Sequence, residues 1–569
     1  MPDCTSRMTQ MTNSSERLSS NAKGAWTFAA NMSALPTVSC DLTQWVCAQS
    51  TKPLNYLVPN ICTGIMAQPE LFSYTSGRYI YNEDARLRER YVEFDPGALL
   101  REVEKHIGLG HGRASRITKL AEGGYNRVFR VTMDDGFEAI AKTPYSSTGP
   151  KYYATASEAA TLTYLHSKGI PVPRVYGYYS SENNPIGVEY TLMEKAKGIL
   201  LDTIWFTMSK RNRLTLASSF VDIEKRLFEI PFGSIGSIYF KGDDTAPETF
   251  CIEPTAGSLF WDGKRAGMDL YHGPWKNPTE YLRSIAEKEI EWTQRFGKPL
   301  ELDFPHNAVF PGERLPEDYL TLLHKYLTLA PHLLPKDGDS RLNAPTLRHP
   351  DLNPYNIFVS PETGAISCII DWQHTIIEPR LLAAGYPRAF ESPDPEQPLK
   401  LEEPSLPSDI ETLPNDAKLE AEKLYRRRLL FYYYRIFNGN FNKPHLEALR
   451  DPILLLRQHL VDRAGRQWTG NLIALKGALI RMAEYWPRLP DTAGCTEEQL
   501  FALNSLVNYW LDRVGGVSEE GWISDDRYDE AVRNIAELKA ELIATAEGDE
   551  EDLRLLEKGC LFRDREESD

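Results

Sequence analysis

The sequence predicts an α+β protein built from two units, a small β-rich one followed by a large, mainly helical one. Three observations predict it. Short runs rich in β-branched and aromatic residues alternate with turn residues between Ser115 and Thr143. Beyond Gly198, apolar residues recur mostly at helical spacing. The chain has 569 residues, too many for one compact core.

In the β-rich part, Arg116–Leu120, Arg127–Thr132 and Phe137–Lys142 read as strands. Gly123-Gly124 and Asp134-Asp135-Gly136 separate them, which makes an antiparallel meander. A helix is expected over Ala154 to Gly169, with Ala159, Leu162, Leu165 and His166 on one face. Gly169 is its stop, and Pro171 and Pro173 exclude continuation. Strands are expected at Arg174–Tyr179 and Val188–Glu194, and Gly198 opens a linker. Helices are expected over Asn277–Phe296, Glu317–Ala330, Ala417–Phe437, Glu447–Ala464, Gln467–Trp486, Glu497–Val514 and Asp526–Ala546. Tyr386 to Pro414 is rich in Pro and acids and reads as an exposed loop or insertion rather than core. The expected organisation is a leader at 1–65, an N-terminal extension and small lobe at 66–197, a helical lobe at 198–546 and an acidic tail at 547–569.

Composition narrows the function. Apolar residues make up 42% and charged residues 25%, ordinary for a globular chain with a core. The net charge of -16 repels polyanions, so nucleic acid is not an expected partner. The cysteines are scattered without metal-ligand spacing, which argues for reduced thiols over a disulfide or zinc framework. No run of roughly eighteen apolar residues suggests a membrane span. The first 65 residues are rich in Ser, Thr and Asn, with Arg7, Arg17 and Lys23 among few acids. That composition suits a mitochondrial presequence or a disordered leader without an address.

The chemistry concentrates between Arg348 and Trp372. Asp351 lies in a loop, Asn356 precedes the short strand Ile357-Phe358-Val359, and a turn at Ser360–Gly364 leads to Ile366–Ile370 and then Asp371. A two-strand hairpin returns the chain to its start, so Asp371 is expected beside Asn356. Phosphoryl transfer needs such a group: one carboxylate orients and deprotonates the attacking hydroxyl, while a second and an amide oxygen hold magnesium. Asp351 suits the first role; Asn356 and Asp371 suit the second.

His349-x-Asp351, Asn356-Ile357 and Ile370-Asp371-Trp372 in this order resemble the aminoglycoside phosphotransferase and choline kinase superfamily, a relative of protein kinases. The resemblance implies a protein-kinase-like bilobal fold, ATP and Mg2+ as cofactors, and a small-molecule hydroxyl as acceptor. Asp371-Trp372 stands where protein kinases have Asp-Phe-Gly, and no clear Ala-Pro-Glu segment follows, which favours the small-molecule branch. It further implies a lysine at the end of the third strand, Lys142, aligned on the nucleotide phosphates by Glu158. The phosphate-covering loop falls at Gly123 and Gly124, in place of Gly-x-Gly-x-x-Gly, and the adenine hinge at Met193, Glu194 and Ala196. His349 is implied as a brace of the catalytic loop rather than its base. All five polar positions are present, which weighs against the alternative, a non-catalytic binding or scaffold protein on a degenerate kinase fold.

A second segment, Ser73–Glu83 with Arg86–Tyr91, joins Glu122–Asn126 in looking like the fungal altered inheritance of mitochondria protein 9 subgroup, from about residue 70 to beyond 520. That likeness implies a mitochondrial location, with the cytoplasm as the alternative, and no particular substrate. Lys423–Arg428 beside Phe431–Tyr434 reads as a solvated, partly packed helix rather than a nucleic-acid surface. Trp261-Asp262-Gly263 and Gly273-Pro274-Trp275 read as core packing rather than as a substrate cleft.

Overall fold

A computed structural model describes residues 69–242, 249–302, 312–336, 340–394, 400–485 and 521–545, with isolated positions at 513–514, 517, 550 and 553–554. The expected leader, most of the expected helix Glu497–Val514 and almost all of the acidic tail lie outside the described residues.

The small lobe is a five-stranded antiparallel sheet with a helix on each side. Helix α1 (Pro96–His111) precedes strands β1 (Ala114–Glu122), β2 (Asn126–Met133) and β3 (Glu138–Pro144). Helix α2 (Tyr153–Ser167), β4 (Val175–Tyr179) and β5 (Tyr190–Glu194) follow, giving the order β1-β2-β3-β5-β4. Alternation decides what each face meets. Phe129, Val131 and Met133 of β2, with Ala139 and Ala141 of β3, pack against Leu99, Val103 and Ile107 of α1. Ile140, on the opposite face of β3, packs with Leu162, Leu165 and Met193. Lys142 shares that parity, so β3 aims it away from α1.

The α2 helix stops as expected: Gly169 adopts φ 71° and the Ile170 N–H reaches back to the Leu165 carbonyl. Ala159, Leu162 and Leu165 are buried, but His166 is exposed, so it does not belong to the packed face. Helix α1 is absent from the sequence expectations, although its signals are present. Asp95 caps the Ala98 N–H, Pro96 opens the first turn, and Leu99, Val103 and Ile107 recur every four residues.

Beyond Gly198 the chain is not a linker. Ile199–Leu200 pairs with Val359 and Phe358 as the third strand beside the 357–369 hairpin. The large lobe then contains α3 (Lys210–Glu229), also missing from the expectations, β6 (Ser237–Phe240), β7 (Phe250–Glu253), α4 (Pro278–Phe296) and α5 (Pro316–Leu329). Strands β8 (Pro345–Leu347), β9 (Ile357–Val359), β10 (Ile366–Ile369) and β11 (Ile377–Pro379) follow, then α6 (Asn415–Phe441). The helix expected over Glu447–Ala464 is two, α7 (Lys443–Leu449) and α8 (Leu454–Ala464). Pro452 cannot continue the first, and Asp451 accepts from the Ile453 N–H at the start of the second. Helix α9 (Ile473–Tyr485) begins later than Gln467, because Gly470 turns with φ 78° and Asn471 caps Ile473. Helix α10 (Asp525–Thr545) ends the described architecture. Two apolar clusters organise this lobe, one around α3, the hairpin and α6, the other around α4, α5, α8 and α9. No described helix is long and apolar enough to cross a membrane.

The Tyr386–Pro414 stretch is not wholly exposed. Ala389 and Phe390 are buried in the cluster with α3 and α6, because Phe390 stacks on Phe220 and Tyr434. On α6, Lys423 and Arg426 pair with Glu420 and Glu422, and Arg428 with Asp394, while Leu429–Phe431, Tyr433 and Tyr434 are buried.

The segment 69–91 straps the outside of the sheet. Arg127 is fully buried and donates to Glu122 at 2.9 Å and to the carbonyls of Leu71, Phe72 and Arg90. Glu122 in turn accepts from the Thr75 N–H and the Ser76 hydroxyl. Farther along the strap, Arg78-Tyr79 pairs with Trp522-Ile523. A Cβ at Gly77 would lie 2.5 Å from the Trp522 ring nitrogen, so only glycine permits this approach. Replacing Arg127 by Met leaves Glu122 buried without its closest cation. Urea unfolding of that variant is expected to show a loss of about 3 kcal/mol, with early proteolysis in 69–91.

Candidate active site

The hairpin forms as expected. Ile357 stands opposite Ile369 and Phe358 opposite Cys368, and Gly364 completes the turn with φ 74°. The Ile370 N–H donates to the Asn356 carbonyl at 3.0 Å, which brings Asp371 next to Asn356 along the ladder.

His349 ties the loop to this hairpin. Its Nε2 donates to the Ile370 carbonyl at 2.8 Å, and its Nδ1 accepts the Asp351 N–H at 3.1 Å. Those partners require a neutral ring with the proton on Nε2. The Asn356 side-chain nitrogen donates to the Asp351 carbonyl at 2.8 Å. His349, Asp351, Asn356 and Ile370 thus form a closed circuit of hydrogen bonds. Trp372, 1% exposed, meets the His349 ring edge-on and fixes the hairpin's exit. Asp371 itself adopts φ 64°, a left-handed conformation uncommon for a residue with a Cβ and often found at functional sites.

Lys142 joins the two lobes. Its Nζ donates to Glu158 at 2.7 Å and to Asp371 at 2.8 Å. Burial works to raise the Asp371 carboxyl, but the Lys142 charge outweighs it and holds that group below the usual range. Burial also works to lower Lys142, and its two carboxylate partners reverse the effect and keep it protonated. Glu158 is pushed upward by burial, against the pull of Lys142. Asp351 is half exposed; Asn353 donates to its Oδ2 at 2.8 Å. Burial lowers His349, which matches its neutral role.

The structure therefore brings together Lys142, Glu158, Asp351, Asn356 and Asp371. Met193 is buried opposite Ile140, Glu194 ends β5 and donates its N–H to the Arg174 carbonyl, and Ala196 lies just beyond the strand. Gly123 donates its N–H to the Asn126 carbonyl. Neither Gly123 nor Gly124 has a positive φ, and a Cβ at Gly124 would meet nothing within 4 Å.

Residues outside the expected set reinforce the arrangement. Asn126 donates its side-chain amide to buried Gln373, and Tyr125 meets His374 edge-on at 5.1 Å. The glycine turn is thereby latched to the residues after Asp371. Gln373 adjoins the recognised Asp-Trp pair, yet its partner lies in the other lobe, so spacing alone did not reveal it. Trp275 is core as expected, whereas Trp261 is half-buried and stacks between Tyr153 and His272.

The residues fit ATP and magnesium. Open space over Gly124 permits close approach of phosphate, and the Lys142 ammonium already occupies a cationic position against Asp371. The Asn356 nitrogen is spent on Asp351, so the amide oxygen is the atom that would hold a cation. Nε2 of His374, buried without a hydrogen-bond partner, adds an unused acceptor near this group. Among the described residues no three His, Cys, Asp or Glu side chains form a metal cage, and a magnesium held partly by triphosphate and water needs none.

The chain is similar to known proteins over most of its length. Residues 116–382 match the Phosphotransferase enzyme family. A subtelomeric hrmA-associated cluster protein of Aspergillus fumigatus is 31% identical over 491 residues, covering 77% of this chain and 95% of that protein. The chain belongs to the phosphotransferase enzyme family. Among other relatives, altered inheritance of mitochondria protein 9, mitochondrial, of Zygosaccharomyces rouxii is 26% identical over 474 residues, covering 74% of this chain and 75% of its own. The streptomycin–ATP–APH(2″)-IIa ternary complex aligns with 68% of this chain and 97% of its own at 12% identity and a TM-score of 0.35. The chain has a kinase-like α+β fold. Family membership, strand order and the bilobal division carry that assignment.

Because His349 is held neutral, folding binds fewer protons there than the unfolded chain does below about pH 6.5. Its contribution to stability is complete above that pH and is lost as pH falls. His349→Gln is expected to lower stability at pH 8 by about 1–3 kcal/mol. It should also flatten the loss between pH 7 and 5 by up to ~1.4 kcal/mol per unit, measured by chemical unfolding at each pH.

Proposed function

We propose that this protein transfers the γ-phosphoryl group of ATP, with Mg2+, to a hydroxyl of a small molecule. The observation that carries the reading is the convergence of Asp351, Asn356, Asp371, Lys142 and Glu158, joined by the Lys142 ion pairs and the His349 circuit. Asp351 orients the acceptor hydroxyl and takes its proton as the acceptor oxygen bonds to the γ-phosphorus and the bond to ADP breaks. The oxygens of Asn356 and Asp371 hold the metal, whose chemistry is to neutralise the triphosphate oxygens. Lys142, aligned by Glu158, steadies the α- and β-phosphates. Gly123 and Gly124 let the backbone approach them, and Met193, Glu194 and Ala196 line the adenine edge.

In the same reading the protein works in mitochondria. The name of the Zygosaccharomyces rouxii relative and the Ser-, Thr- and Asn-rich residues 1–65 support that location. Cell fractionation with and without residues 1–65 tests it, and a cytoplasmic full-length protein would overturn it.

Asp351→Asn is expected to lower kcat by roughly 10²–10⁴-fold while keeping the thermal shift given by ATP with magnesium. Asp371→Asn is expected to lose the magnesium-dependent part of that shift. A wild-type protein whose melting is indifferent to ATP and to magnesium would instead be a non-catalytic scaffold.

A further inference from the structure

Arg388 stands beside Asp351 on an unusually well-anchored turn. The residues after it, Ala389 and Phe390, are 4% and 1% exposed, and Phe390 stacks on Phe220 at 4.8 Å and on Tyr434 at 5.3 Å. The residues before it are pinned by hydrogen bonds. Arg348 donates to the carbonyls of Ala383 and Gly385 at 2.8 and 2.6 Å, and Gln458 donates to that of Ala384 at 2.6 Å. The Gly385 N–H donates to His445. Pro387 restricts the backbone leading into the turn.

The side chain on this platform is 70% exposed, and its guanidinium lies 3.8 Å from Oδ1 of Asp351. That separation is an ion pair without a hydrogen bond, and an exposed pair of this kind contributes little to folding. Stability therefore gives no account of a cation at this place. Other cations around the site are committed: Lys142 binds Glu158 and Asp371, and Arg348 binds Glu224. Among the described residues Arg388 pairs only with exposed Asp351, in a chain of net charge -16.

We propose that Arg388 selects an acceptor that carries a carboxylate or phosphate close to the hydroxyl that is phosphorylated. The inference rests on the phosphotransfer reading above and names the substrate class of that site. A guanidinium presents a planar fork of N–H donors that matches either anion. An acceptor whose hydroxyl approaches Asp351 brings its neighbouring atoms against this fork. A polycation such as an aminoglycoside would bring ammonium groups there and be repelled. The bond changes are those given above: the acceptor oxygen bonds to the γ-phosphorus, ADP leaves, and Asp351 receives the hydroxyl proton.

The test is ADP release by the full chain with ATP and magnesium, using matched sets of small hydroxy acids, phosphorylated polyols, uncharged polyols and kanamycin. Turnover is expected with hydroxy acids or with phosphorylated polyols, and which set responds separates carboxylate from phosphate recognition. For that acceptor, Arg388→Gln is expected to raise KM roughly tenfold with kcat within about threefold. Arg388→Lys should restore part of the affinity, since it keeps the charge and loses the fork. Both variants replace an exposed side chain, so their melting temperatures report on folding independently. Preferred turnover of uncharged polyols or kanamycin, or an unchanged KM in Arg388→Gln, overturns the inference and leaves phosphotransfer standing. Binding of ATP with magnesium but no turnover of any set overturns the phosphotransfer reading and this inference together.

Discussion

The site depends on one buried imidazole. His349 donates to the carbonyl before Asp371 and accepts the backbone N–H of Asp351, so a single ring sets the separation of two carboxylates from different segments. The bond from the Asp351 N–H does not survive protonation, because a charged ring has no acceptor for it. Burial keeps His349 neutral, and Trp372 meets the ring edge-on. The rest of the hairpin can then be short. β9 and β10 need only carry the chain out and back, with the third strand Ile199–Leu200 tying the segment after β5 to the same sheet.

A second constraint joins the lobes. Lys142 reaches from β3 to Glu158 on α2 and to Asp371 on the far side of the cleft. One ammonium compensates both carboxylates, and the buried Glu158 could not carry its charge without that partner. The Asn126–Gln373 bond and the Tyr125–His374 contact repeat the connection at the glycine turn. The ends of the small-lobe strands and the 357–369 hairpin are thus held in register by polar links. On the outer face, the Arg127–Glu122 pair holds the strap against the same sheet and therefore supports the turn from behind.

Much of this was legible in the chain itself. The meander showed through alternation and Gly- or Asp-rich turns, and the hairpin through a turn between two apolar runs. Lys142 and Glu158 were legible because resemblance to a family supplied positions that local pattern could not. Helices α1 and α3 were overlooked despite their caps. Their apolar stripes are interrupted by charged residues, and α1 carries three glycines that lower its propensity. Pro452 marks the break between α7 and α8, but the expected helix ran across it. The burial of Phe390 inside a proline-rich stretch has no such local mark, because its partners Phe220 and Tyr434 come from distant helices.

By itself the sequence determined the strand and turn pattern, the polar residues available for phosphoryl transfer and the adjacency of Asn356 and Asp371. Each follows from interactions within a few residues or across one tight turn. Only the tertiary structure decided that Lys142 meets Asp371, that Asn126 meets Gln373 and that Arg388 faces Asp351. Those pairs come from separate stretches of chain, and what sets them side by side is the packing of two lobes on shared apolar clusters. No local pattern encodes that packing.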